Sequence, residues 1–226
     1  MALTNQIDGL NKKTTKTIIV SAIVLMGWSC FSAITAAGPW SAFFITFLLY
    51  IFFWCYALYF KNPLLLRLTI IATIAGILEL VTDFYLVETI NSLNYPQNEM
   101  MLWASPAYMP FAWSNVLVQL SFIGVLLTNR LGVLKASIIL CIAGGMYIPI
   151  YEHLANNAGW WNYNPDTTMI FNAPLYVIVC EAFISLSLPA IMNYSEHHKL
   201  LKSIVLGILL GFWILLSAYI AVSFFL

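Results

Sequence analysis

Residues 40–60 read WSAFFITFLLYIFFWCYALYF, without a single charged side chain. A helix of that length is about 30 Å long, the thickness of the hydrocarbon core of a bilayer. The run stops at Lys61-Asn62-Pro63, where a charge and a proline end it. Working outward, the chain shows six more runs of this kind, at 17–37, 65–88, 105–128, 134–155, 172–193 and 201–225. Gly38-Pro39, Tyr95-Pro96, Asn129-Arg130, Asn164-Pro165 and His197-His198 separate them. Hydrophobic residues make up 62% of the 226 positions and charged residues 8%. A water-exposed surface needs roughly 25% charge. The expected fold is therefore all-α: a polytopic membrane helix bundle of seven transmembrane helices, one integral membrane domain over 1–226.

Charge predicts the orientation. The basic residues are Lys12, Lys13, Lys16, Lys61, Arg67, Arg130, Lys135, Lys199 and Lys202. With seven spans they all fall at one membrane face, and the connections 38–39, 89–104 and 156–171 carry none. The positive-inside rule then puts the N-terminus in the cytoplasm and the C-terminus outside. The long aromatic loops face the non-cytoplasmic side of an inner or plasma membrane. Six or eight spans would scatter the charges. Lys12, Lys13 and Lys16 before an apolar stretch resemble a signal peptide, but the stretch is longer than such a region usually is. A retained signal-anchor helix is the expectation, with Ala36-Ala37-Gly38 leaving cleavage open. Net charge is zero, so there is no electrostatic case for nucleic acid. Cys30, Cys55, Cys141 and Cys180 lie in apolar runs and read as packing residues. Glu88, Glu99, Asp166, Asp8 and Glu196 read as solvated, and Trp103, Trp160, Trp161 and Tyr163 as an interfacial belt.

The chain also repeats. Segment 134–188 lies on 66–120 at an offset of 68 residues without a gap. Asn94-Tyr95 matches Asn162-Tyr163, Pro106 and Tyr108 match Pro174 and Tyr176, and Ala75-Gly76 matches Ala143-Gly144. Each unit holds two spans, so both enter the membrane in the same direction. This is a parallel internal repeat, and such repeats tend to place a binding site at their interface.

The repeat sorts the acidic residues. Glu79 and Asp83 are four apart and share a helix face, and their counterparts are Tyr147 and Tyr151. Glu181 has Trp113 as its counterpart. Counted along the spans, Glu79 and Glu181 both fall near the middle of the bilayer, with Glu152-His153 nearer the surface above them. An ionisable residue at that depth costs about 2.5–3.5 kcal/mol on insertion scales, and no Lys or Arg lies at that level to compensate. The acids must hold protons, meet water in a cavity, or bond to tyrosines. One use of such a site is acid–base chemistry in a greasy pocket. An acid protonates an alkene, ring faces stabilise the cation, and a second group removes a proton or water traps the cation. Glu79, Asp83, Glu181 and Glu152 are the candidate acids and bases. Trp113, Tyr147, Tyr151, Tyr108, Tyr176, Trp161 and His153 are the candidate substrate-lining residues. The histidines show no metal-ligand spacing, and neither metal nor cofactor is called for. The expected partner is a lipid or isoprenoid from the bilayer. Oligomeric state is open.

Tyr151-Glu152-His153-Leu154-Ala155, Gly159-Trp160-Trp161-Asn162-Tyr163, Pro174 and Glu181 resemble the membrane lycopene cyclase-domain and carotenoid biosynthesis proteins. That resemblance implies a duplicated membrane helix bundle acting as an isoprenoid cyclase, with Glu152, Ala155, Gly159, Trp161 and Tyr163 at matching positions. The family's paired glutamates after the proline are replaced by Leu175-Tyr176. Pro174-Leu175-Tyr176 and the apolar run through Pro189 are similar to the sterol isomerase and emopamil-binding group, which implies double-bond isomerisation. Three classes follow: a membrane cyclase, isomerase or hydratase; a small proton-coupled transporter; and a non-catalytic sensor or assembly protein.

Overall fold

The computed structural model describes residues 7–96, 98–165, 167–196 and 198–226. Asp166 and His197, both expected in aqueous connections, lie outside the described residues. Among the described residues seven helices are long and apolar enough to cross a membrane. They are α1 Lys12–Thr35, α2 Pro39–Tyr59, α3 Pro63–Thr89, α4 Met109–Leu131, α5 Val133–Ala158, α6 Leu175–Glu196 and α7 Leu201–Phe225. The chain is an integral, multi-pass membrane protein.

Local chemistry sets the helix ends. Asn11 caps α1 by accepting from Thr14 N at 2.9 Å, and Asn62 caps α3 by accepting from Leu65 N at 2.9 Å. Prolines stand in the first turn of α2, α3 and α4, where a missing N–H costs nothing. A single residue, Gly132 at φ 80°, turns α4 into α5. The helix α3 is irregular. Its first stretch ends at Leu78, a short one runs Leu80–Phe84, and Tyr85–Thr89 widens into a π-turn. Such turns are common where a helix is re-aimed at a site.

Three starts differ from the sequence expectation by three residues or more: the first span begins at Lys12 rather than 17, because the Asn11 cap draws the lysine-bearing turn into the helix. The fourth and sixth spans begin at Met109 and Leu175 rather than at 105 and 172. Pro106 and Pro174 explain the shift, because the residue before a proline is driven into extended backbone. Ser105–Pro106 pairs with Met101–Leu102 as β3 on β2, and Ala173–Pro174 pairs with Met169–Ile170 as β6 on β5.

These hairpins pair equivalent residues at the 68-residue offset. Ala107 N donates to Met100 O and Leu175 N to Thr168 O, both at 2.8 Å. Trp103 and Phe171 hold left-handed backbone at φ 61° and 55°, as do Asn91 and Gly159 at φ 55° and 72°. A third pair, β1 Leu93–Asn94 on β4 Asn162–Tyr163, joins the two loops directly. Asn94 lies opposite its own counterpart Asn162, so the register is centred on equivalent residues.

α3 is flanked by α4 and α7, α5 packs along α6, and α6 also meets α7. α1 lies mainly on α5, and α2 on α4. Small residues allow the close crossings, as in other membrane bundles. A Cβ on Gly76 would stand 2.6 Å from Pro110 O of α4. A Cβ on Gly144, its counterpart, would meet Ser185 of α6, whose own Cβ is 2.7 Å away.

Candidate functional site

The α3–α4 and α5–α6 pairs and α7 enclose a partly open cavity of about 100 Å³ beneath the paired loops. All four acids singled out in the sequence line it: Glu79 and Asp83 from α3, Glu152 from α5 and Glu181 from α6. Glu79, Asp83 and Glu152 are buried. Asp83, Glu152 and Glu181 each stand six residues from the loop-side end of their helix, or roughly 9 Å at 1.5 Å per residue. Glu79 is four residues, about 6 Å, deeper. The later start of α6 puts Glu181 nearer the loops than the sequence implied, and so level with Glu152 rather than below it. Glu79 lies in Coulombic range of Asp83 and Glu181, Glu152 in range of Asp83 and Glu181, and no Lys, Arg or His lines the cavity.

Each acid has a different environment. Tyr95 Oη donates to Asp83 Oδ2 at 2.6 Å. Burial first, then the adjacent Asp83, keeps the Tyr95 hydroxyl well above the usual phenol range, so it stays a donor. Trp161 Nε1 donates to Glu152 Oε2 at 2.5 Å, and the Tyr163 hydroxyl faces the same carboxyl. Burial, and then Glu152, keeps Tyr163 protonated in the same way. Glu79 Oε2 has no hydrogen-bond partner among the described residues, while its carboxyl lies within bonding reach of Asp83. An unpartnered carboxyl oxygen beside a second carboxyl, in a site without cations, marks where a proton can be passed.

Aromatic side chains form the rest of the wall. Tyr147 and Tyr151 stack at 5.5 Å between centroids, Tyr151 meets Trp161 at 6.0 Å, and Tyr163 stands edge-on to Tyr176 at 6.4 Å. Trp113 lines the side next to Glu79. Tyr176 Oη shares a 2.8 Å hydrogen bond with Ser92 Oγ, tying α6 to the opposite loop. Trp160, one residue from the lining, donates from Nε1 to Ser41 Oγ at 2.8 Å and locks its loop to the start of α2.

Nine of the eleven sequence-derived site residues therefore border one cavity. Tyr108 and His153 do not. Tyr108 is buried between β3 and the start of α4, and its Oη has no partner among the described residues. His153 points to the surface and bonds Asn172 Oδ1 at 2.6 Å and Asn157 Nδ2 at 3.0 Å. One residue on from the buried Glu152, it is turned about 100° around α5 and so faces outward. The interfacial-belt reading fails for Trp160 and Trp161, which are buried at 1% and 7% exposure. Glu99, expected in water, is half-buried and its carboxyl is pushed up to about 7 by burial. Tyr95 and Tyr163 were not among the site residues expected from sequence. Their one signal was the Asn-Tyr match between the repeats. Cys180, read as packing, also borders the cavity.

Residues 80–225 match one family, described as domain of unknown function DUF6989. No curated protein and no solved structure matches the chain. The matched segment contains Asp83, Glu152 and Glu181, and Glu79 directly precedes it.

Proposed function

We propose that this chain, which belongs to the DUF6989 family by a match over 146 of its 226 residues, is a membrane enzyme. It acts by acid–base chemistry on the alkene of an isoprenoid or similar lipid, as a cyclase, isomerase or hydratase. The observation that carries this reading is the convergence of four carboxyls from three helices in one aromatic cavity without a cation.

In this reading Glu79 or Asp83 delivers a proton to the double bond. The faces of Tyr147, Tyr151 and Trp161 stabilise the resulting carbocation. Glu152 or Glu181 takes a proton from the neighbouring carbon, which restores a double bond in a ring or at a shifted position. Water addition followed by proton loss would give an alcohol instead. Every variant conserves protons and electrons without a redox partner. A volume of about 100 Å³ is below that of a typical whole-ligand pocket, so the reading assigns the cavity to the reacting end of a longer chain. Under the positive-inside rule the cavity opens toward the non-cytoplasmic leaflet.

The test is to incubate membranes bearing the full chain with polyprenyl and carotenoid substrates in deuterium oxide. The expected product is isomeric or hydrated and carries deuterium on carbon. The paired variants Glu79→Gln/Asp83→Asn and Glu152→Gln/Glu181→Gln should each abolish it. Wild-type membranes that leave every substrate unlabelled, or variants that label normally, would overturn the assignment. A proton-coupled carrier is the second reading, favoured by the position of the cavity between two parallel, repeat-related helix pairs. Proton-gradient-driven uptake into liposomes, with no deuterated product, would select it.

A further inference from the structure

A second depression lies at the basic face, far from the carboxyls. It is a groove of about 720 Å³ between the first turns of α1 and the last turns of α4. On α1, Lys12, Lys16 and Val20 recur every four residues and share one face. On α4, Ile123, Leu126 and Arg130 recur at spacings of three and four and do the same. All six border the groove.

The helix geometry sorts these side chains by depth. Lys12 and Arg130 stand at the membrane ends of their helices, while Val20 and Ile123 lie roughly 10–12 Å further in. The groove is thus cationic at its rim and apolar along its length. Lys12, Lys16 and Arg130 are exposed, and no acidic residue borders the groove among the described residues. The groove exists because α1 leans on α5 and only lightly touches α4, which leaves the α1–α4 seam unfilled.

We propose that this groove binds an anionic glycerophospholipid of the leaflet that meets the basic face. The phosphate sits among Lys12, Lys16 and Arg130, and one acyl chain runs along Val20 and Leu126. A soluble anion would use only the rim, and a neutral lipid only the wall. The combination of both fits a charged headgroup carrying an acyl chain.

The experiment uses the purified full chain in nanodiscs of phosphatidylcholine containing a minor fraction of phosphatidylglycerol, with retained lipid read by native mass spectrometry. Wild type should retain phosphatidylglycerol over phosphatidylcholine by about tenfold, given the attraction contributed by each basic residue. Lys12→Gln, Lys16→Gln and Arg130→Gln together should abolish that preference. Lys61→Gln, Lys199→Gln and Lys202→Gln together remove the same charge from the same face and should leave it intact. Leu126→Trp keeps every charge, fills the wall, and should also lose the preference, which covers a triple variant that fails to assemble. The proposal is overturned if wild type shows no preference, if both triple variants lose it equally, or if Leu126→Trp keeps it. Displacement by glycerol phosphate as readily as by lysophosphatidylglycerol would overturn it too, by showing a site for a soluble anion.

Discussion

Tyr95→Phe isolates the bond that ties the β1 loop to the carboxyl cluster. The variant removes one oxygen and leaves the ring. In the native protein that oxygen donates to Asp83 Oδ2 at 2.6 Å, and Asp83 is only 2% exposed. Water cannot freely replace the lost donor. Leaving a buried acceptor without its partner costs about 1–3 kcal/mol. For a protein of this size that corresponds to a fall in the unfolding midpoint of roughly 2–12 °C. Asp83→Leu strands the Tyr95 hydroxyl and also removes the carboxyl beside Glu79, a loss common to the single and double variants that cancels in the cycle. The double-mutant cycle therefore expects Tyr95→Phe/Asp83→Leu to be more stable than the sum of the single changes by at least about 1 kcal/mol. Reversible unfolding in mixed micelles, followed by tryptophan fluorescence, measures all four corners. A coupling of zero would refute the reasoning, since it would mean that Asp83 draws its support from elsewhere.

Three further outcomes are expected. Gly76→Ala should lower stability by about 1–3 kcal/mol, because its Cβ would stand 2.6 Å from the backbone oxygen of Pro110, which no rotamer change relieves. Gly27→Ala, with nothing within 4 Å, should be neutral or stabilising in the same thermal-shift measurement. Glu99, pushed up to about 7 by burial from 4.5, binds its proton more tightly folded than unfolded. Its contribution is fully present below pH 4.5 and is lost as pH rises through 7, so the midpoint should decline across that window. Glu99→Gln should flatten the decline, and an unchanged pH profile would exclude Glu99 as its source.

The spans were legible because apolar length alone sets them, and the reading of seven helices survives with shifts of a few residues. The largest shift is at the first span, which starts at Lys12 rather than 17 because Asn11 caps it one charged turn earlier; the starts after Pro106 and Pro174 move later, where hydrophobicity continues but the backbone is extended. The acids were legible for a different reason. Uncompensated carboxyls in a span must meet something polar, and the repeat offset showed that Glu79, Asp83 and Glu181 match aromatic residues. Trp160 and Trp161 were not legible as interior residues. An indole satisfies its surroundings equally well at a membrane interface or beside Ser41 and Glu152. Nor could any pattern reveal that Tyr95, in a loop, reaches back to Asp83. The α1–α4 groove was equally hidden, since it depends on which neighbour α1 chooses.

The pairing of Asn94 with Asn162 has a consequence for assembly. When a strand meets its own equivalent at the midpoint of the register, the contact is self-complementary, the geometry that joins identical subunits across a twofold axis. A single half of the chain would carry both sides of that seam. Two copies of one two-helix unit would meet through these same residues with no linker between them.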